Sequence, residues 1–264
     1  MADYESVIVE RHGAVAILTM NRPDKMNTFN ASLRRDMCSA ARELNLDTSI
    51  QVVLLTGAGR AFGAGADLTE SQGDGLGGGA EVQDQLEYEY KPGVLAIAES
   101  SKVWIAAING PCAGVSYSYA MACDMVVMAE SAFLYQPFAS IGLVPDGGST
   151  WLLTRLVGSR KAFELMITGE KLVAEDAVKL GLANQVFGDN EFLQEATAYA
   201  QTIASKSPLA LRYTKEAIKI AHNATLAESI STEARLQKAC IDSDDCKNAI
   251  AAFLNKEKYT WQGR

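Results

Sequence analysis

Apolar residues mark alternate positions over residues 6–11 and again over 14–20, with Val7, Val9, Val15 and Ile17 carrying the pattern. That two-residue period, interrupted at His12-Gly13, predicts a half-buried β-hairpin. The stretch Asn21-Arg22-Pro23-Asp24-Lys25 follows as a polar loop with a breaker in it. Asn30 then stands where an N-cap belongs, ahead of a helix expected to reach about Leu46. QVVLLT at 51–56 and VWIAAIN at 103–109 are short, unbroken apolar runs, as in strands of a parallel sheet buried on both faces. Small and apolar residues over 115–123 predict a helix, and 125–129 and 132–135 two more strands. From Gly147 the pattern turns helical, over 149–156, 159–168, 174–180, 191–205, 208–221, 225–240 and 244–255. Alternation of strands and helices, then a run of helices, predicts an α/β fold with a helical C-terminal region. The core is placed at 1–200 and the helical region at 201–264; no linker, composition shift or repeat marks a second independent fold.

A chain of 264 residues that is 48% hydrophobic and 21% charged can bury a sizeable core. Lys and Arg number 24 against 32 Asp and Glu, and the resulting net charge of -8 argues against nonspecific nucleic-acid binding. Five cysteines with no C-x-x-C fit free thiols in a reducing compartment. The two histidines, His12 and His222, are far apart in sequence, which argues against a zinc site or a Ser-His-Asp triad. The N-terminus lacks the basic-then-apolar pattern of a signal peptide, and no stretch reaches the ~18 apolar residues of a membrane span. A soluble, cytoplasmic protein is expected, without membrane, nucleic acid or metal. GDGLGGG at 73–79 formally contains G-x-G-x-x-G, but no strand precedes it, so a loop tip is expected there rather than a dinucleotide site.

Three junctions carry candidate chemistry. Ala61-Phe62-Gly63-Ala64-Gly65-Ala66-Asp67-Leu68 follows one buried strand, and Asn109-Gly110-Pro111-Cys112-Ala113-Gly114-Val115 follows the other. Small residues let a backbone approach a ligand closely, and a helix start leaves N–H groups unpaired. Two such turns side by side would offer two convergent donors, which is what an oxyanion needs. Each alone is also an ordinary tight turn. At the third junction Asp146 sits among apolar residues and glycines, just before an expected helix. It reads as an N-cap, or as a carboxylate whose pKa desolvation raises until it is poised as a base. Tyr117 and Tyr119 do not share a helix face, so at most one reaches a ligand there, and core packing is the expected fate.

These segments resemble the crotonase family, also called the enoyl-CoA hydratase/isomerase superfamily. The resemblance covers nearly the whole chain: MNRPDKMN at 20–27, TGAGRAFGAGADL, WIAAINGPCAGVSYSYAMACD, GLVPDGGSTWLLTRLVG at 142–158, LMITGEKLVAEDAVKLGLANQVF at 165–187, SPLALRYTKEAI and AFLNKEKYTWQGR. It implies a crotonase-like spiral of ββα units with a C-terminal helical trimerisation region, assembled as a homotrimer or dimer of trimers. It implies an acyl-CoA thioester as substrate, coenzyme A being part of that substrate and no separate cofactor being needed. The matching positions give Ala66 and Val115 as the backbone donors to the thioester oxygen. Val115 departs from the family's usual Gly and brings a side chain that could crowd the acyl group. Arg22, Lys25, Met26, Ala64, Asp67 and Leu68 match the CoA-binding positions, with Lys25 as a phosphate partner. Phe253 and Lys256 match positions that cover the CoA, in some members from the neighbouring subunit.

Hydratases of the family carry two Glu at positions that match Ser118 and Phe138 here, and neither is an acid. A hydratase must activate water and deliver a proton, so this departure argues against that reaction. Asp146 matches the Asp of dienoyl-CoA isomerases and ring-1,2-epoxyphenylacetyl-CoA isomerases, and GLVPDGGSTWLLTRLVG is especially similar to the latter. The expectation is an isomerase taking 3-enoyl-CoA to 2-enoyl-CoA through Asp146 alone. Ser118, Phe138 and Leu143 are expected in the acyl pocket, and Leu143, Val144 and Phe138 are expected to keep Asp146 dry. A 1,2-epoxyphenylacetyl-CoA isomerase, a weak hydratase with water placed by Ser116 or Ser118, and a non-catalytic acyl-CoA binding protein remain open. Residues 70–95 and the C-terminal helices are expected to shape specificity, while the Glu and Tyr of EVQDQLEYEYK read as a solvated face.

Overall fold

Strands β1 (Val7–His12) and β2 (Val15–Met20) form the expected hairpin, with Val7 opposite Met20 and His12 opposite Val15. The computed structural model describes residues 3–70 and 78–263. β2 then pairs in parallel with β3 (Val52–Gly57), β3 with β4 (Val103–Ile108), β4 with β6 (Met125–Ala129) and β6 with β9 (Gln185–Phe187). The six-stranded sheet therefore runs β1-β2-β3-β4-β6-β9. Every residue of β3 and β4 is buried, which is why their sequences show no alternation. A second sheet orders β5 (Cys112–Ala113), β7 (Phe133–Tyr135) and β8 (Leu172–Val173).

Helix α1 (Ala31–Leu46) starts at Asn30, whose side chain accepts from the Leu33 N–H. It buries Leu33, Met37, Ala40, Ala41 and Leu44, a helical stripe against the sheet and against α3 (Lys91–Ala98). Full burial of a side chain such as Leu33 contributes roughly 1.5–3 kcal/mol. Helix α7 (Phe192–Ala204) lies across β2, β3, β4, β6 and β9, burying Phe192, Ala196 and Ala200 at four-residue spacing. Helix α2 (Gly79–Gln85) runs into α3 through a π-helical turn at Leu86–Tyr90. Pro92 has no N–H to return to the carbonyl four residues back, and the ladder widens just ahead of it.

Helix α4 (Val115–Met121) is buried throughout, with Tyr117 and Tyr119 both in the core. Helix α5 (Ser149–Thr168) is broken at Gly158 (φ 76°, ψ 161°), between the two helices that the sequence predicts. After α6 (Ala174–Lys179) and α7 come α8 (Pro208–Ala221), α9 (Leu226–Asp242) and α10 (Asp244–Leu254). α8 packs on β4 and on α9, and α10 packs on α9. Among the described residues no helix is long and apolar enough to cross a membrane.

Candidate active site

Two loops are fastened together by the buried side chain of Asn27. Its Nδ2 donates to the carbonyls of Ala58 (2.9 Å) and Ala61 (2.7 Å), and its Oδ1 accepts from the Arg22 N–H (2.8 Å). Arg22 Nη1 donates to Asp67 Oδ2 at 2.9 Å and also to the Thr28 carbonyl. Burial would raise the Asp67 carboxyl, but hydrogen bonds from Thr69 and Arg22 outweigh it and hold the group below its usual value. Arg22 and Asp67 thus brace the turn by pairing with each other.

Phe29 lies beside this turn, donating its N–H to the Gly65 carbonyl (2.8 Å) and accepting from the Asp67 N–H (3.0 Å). That pattern skips Ala66, whose N–H makes no hydrogen bond among the described residues. The next junction is joined to the first at Gly63, which donates to Pro111 O and accepts from Ala113 N. The buried Ser116 Oγ accepts from the Gly65 N–H at 3.1 Å. Gly65 (φ 97°) and Gly114 (φ 55°) touch, and a Cβ on Gly114 would stand 3.3 Å from the Gly65 Cα. Only glycine permits that approach. Val115, the first residue of α4, also has an N–H that makes no hydrogen bond among the described residues. Two unpaired donors on touching turns can bind one carbonyl oxygen.

The third junction is seated on the same helix. A Cβ on Gly147 (φ 59°) would stand 2.9 Å from both Ser118 Cβ and Val115 Cγ2. The Val115 side chain therefore packs under the Asp146-Gly147 turn. Ser118 Oγ donates to the Asp146 carbonyl (2.8 Å) and lies 2.6 Å from Ser149 Oγ, which accepts from Gln136 Nε2 at 3.2 Å. Ser118 is fully buried, so it clamps the acid's backbone and does not line an acyl pocket. Gly147→Ala is expected to lower stability by roughly 1–3 kcal/mol, from positive φ and overpacking together. A melting temperature unchanged from wild type would contradict this packing.

Asp146 does not cap α5. The N-cap position is Gly148 with no side-chain bond, and it is the Asp146 carbonyl that accepts from Ser149 N. The carboxyl is part-buried, and its Oδ1 is shielded from water without a hydrogen-bond partner. Burial pushes its pKa up to about 6, with its own N–H pulling weakly the other way. The dry surroundings differ from the expectation. Leu143 is 40% and Val144 79% exposed, while Phe138 is buried beside Gly114.

Lys25 is exposed and makes no ion pair among the described residues, and Leu68 is half-exposed. Met26 O accepts from Ala64 N (3.0 Å), so the loop at 22–27 and the turn at 64–68 form one surface. Phe253 is 80% exposed and Lys256 is also exposed, so within one chain both lie on the surface. The glycine-rich segment at 73–79 lies mostly outside the described residues. Among those residues, no cluster of three His, Cys, Asp or Glu side chains can hold a metal ion.

Sequence reasoning missed Tyr90. It is 4% exposed, and its ring packs on Phe29 at 5.9 Å. The glutamates and tyrosines around it had the look of a solvated face, yet Leu86, Tyr90, Val94 and Ile97 recur at helical spacing and turn inward.

The fold is shared with known proteins. The enoyl-CoA hydratase/isomerase family matches residues 10–264, and this chain belongs to that family, within the crotonase superfamily. A 1,2-epoxyphenylacetyl-CoA isomerase of Escherichia coli (strain K12) is 33% identical over 260 residues, covering 98% of this chain and 99% of its own. A probable enoyl-CoA hydratase of Rhizobium meliloti (strain 1021) is 34% identical over 261 residues, 99% of each chain. An enoyl-CoA hydratase structure from Bacillus anthracis matches with a TM-score of 0.93 at 29% identity, covering 98% of this chain and 100% of that one.

Proposed function

We propose that the protein is an acyl-CoA isomerase that moves the double bond of a 3-enoyl-CoA to the 2-position through Asp146 alone. The observation that carries this reading is the unpartnered Asp146 carboxyl, seated on the helix whose first N–H is Val115. The N–H groups of Ala66 and Val115 hold the thioester oxygen. Asp146 takes the proton from C2, the negative charge spreads over the dienolate and its oxygen, and Asp146 returns the proton to C4. With a pKa near 6 the carboxyl is ionised at neutral pH yet basic enough to work. No redox group or separate cofactor is required. Lys25 meets a phosphate of the coenzyme, alongside Met26, Ala64 and Leu68.

Hydration is the weaker reading. The relative from Rhizobium meliloti favours it by name, but Ser118 is spent on the Asp146 carbonyl and Phe138 offers no proton. Epoxide isomerisation on phenylacetyl-CoA uses the same site and is supported by the similarity to the Escherichia coli isomerase. The test is a set of 3-enoyl-CoAs of several chain lengths, with crotonyl-CoA hydration followed in parallel. Formation of 2-enoyl thioester without hydration supports the proposal, and hydration without isomerisation overturns it.

Exposed apolar side chains on α5, α9 and α10, among them Trp151, Phe163, Leu226, Ile230 and Phe253, support a homotrimer or a dimer of trimers. Sedimentation should give at least three times the 28.3 kDa chain mass, and a monomer would remove this part of the proposal. In such an assembly Phe253 and Lys256 would cover a neighbour's coenzyme. The five free thiols support a cytoplasmic location.

A further inference from the structure

Gln136 is 2% exposed and follows directly on β7. Tyr135, the last residue of that strand, accepts the Gly114 N–H at 3.1 Å. The backbone at Gln136 is thereby fixed against the turn that leads to Val115. Its side chain reaches the third junction. Nε2 donates to Ser149 Oγ at 3.2 Å, Ser149 Oγ lies 2.6 Å from Ser118 Oγ, and Ser118 Oγ donates to the Asp146 carbonyl at 2.8 Å. Gln136, Ser149 and Ser118 are all buried.

The direction of this relay follows from its protons. A carbonyl only accepts, so the single Ser118 hydroxyl proton goes to Asp146. The short contact between the two hydroxyls then takes the Ser149 proton. Ser149 has no second one, so Gln136 presents its N–H end. A reversed amide would set Oε1 against a lone pair. Each hydroxyl accepts once and donates once, and links in such a chain polarise one another. The orientation leaves Oε1 shielded, without a partner among the described residues, beside a small cavity that Tyr117 also lines. An acceptor buried unpaired works against folding, so the amide is explained by the end that does bond.

Asp146 depends on such support. Its shielded Oδ1 has no hydrogen-bond partner among the described residues, so the aim of the carboxyl follows from where the backbone is held. That backbone is held at its carbonyl, by the Ser149 N–H (3.0 Å) and by the Ser118 hydroxyl.

We propose that Gln136 is a positioning residue: through Ser149 and Ser118 it fixes the Asp146 carbonyl and keeps the carboxyl aimed at the carbon it deprotonates. This rests on the isomerase reading with Asp146 as the base. Gln136 acts through other residues, joining the turn that carries the Val115 donor to the turn that carries the acid. A misplacement of about 1 Å can lower a rate by as much as 10²-fold. The Ser149 N–H stays in place when the relay is cut, so a partial loss is expected.

The test is a double-mutant cycle on 3-enoyl-CoA isomerisation. Gln136→Met keeps the length of the side chain without its amide, and Ser118→Ala removes the last link. Each should lower kcat about tenfold with KM within about twofold of wild type. The double variant should be no slower than the slower single one, because the relay is already cut, whereas independent losses would multiply to about a hundredfold. Gln136→Leu carries the same expectation, so the result does not hang on the folding of one variant. Losses that multiply, or wild-type kcat in a folded Gln136 variant, overturn the inference and leave the isomerase reading intact. A wild type that isomerises no 3-enoyl-CoA removes the isomerase reading and this inference with it.

Discussion

Asp146→Asn should lower isomerisation of 3-enoyl-CoA by about 10²–10⁴-fold while leaving the affinity for CoA esters within a few-fold of wild type. The amide keeps the size and polarity of the side chain but cannot take the proton from C2. The coenzyme surface proposed at 22–27 and 64–68 is built by other residues, so binding should survive. Two further signatures separate a base from a structural acid. In wild type, kcat/KM should rise with pH through an apparent pKa near 6, because only the ionised carboxyl accepts a proton. Stability should move in the opposite direction. The carboxyl binds its proton more tightly folded, near 6, than unfolded, near 3.8, so its contribution is fully present below pH 3.8 and is lost as pH rises through 6. Above that, the native state holds a part-buried charge, and Asp146→Asn should be more stable than wild type at pH 7.5 by about 1–3 kcal/mol. An active variant, or an inactive one destabilised at neutral pH, would show that the side chain serves the fold.

Val115→Pro should lower kcat by about 10²–10³-fold with little change in melting temperature. Proline removes a single N–H, the donor assigned to the thioester oxygen. Position 115 begins α4, where that N–H is unpaired within the fold and proline's φ suits the helix. Its ring also keeps apolar contact beneath Gly147. A backbone donor is otherwise hard to test, because side-chain substitutions leave it in place. Wild-type kcat in a folded Val115→Pro protein would take the oxyanion away from this turn.

Much of this site was legible in the sequence because its parts are backbone parts. Gly65, Gly114 and Gly147 mark places where only a missing Cβ permits the path, and buried strands lead into the turns that carry the first two. The sequence could not show what the side chains between those turns were doing. Ser118 and Val115 sit at positions that suggested a pocket, yet both face the Asp146-Gly147 turn, a contact between residues about thirty positions apart. Leu143 and Val144 were expected to shield the acid because they adjoin it in sequence, but their segment faces outward. Strands β5, β8 and β9 are two or three residues long, too short for any period to register. Tyr90 was hidden by its charged neighbours, although every fourth residue around it is apolar.

The seven-residue helix α4 carries both halves of the proposed chemistry, the first N–H as donor and the flank beneath Asp146 as platform. Displacement of that helix would carry the Val115 donor and the platform of the base together, while the Ala66 donor stays with the turn at 64–68. The segment at 79–98 is tied to the same helix, since Gly93 packs against the Tyr119 hydroxyl, so variation there is felt by the helix that carries the donor and the platform.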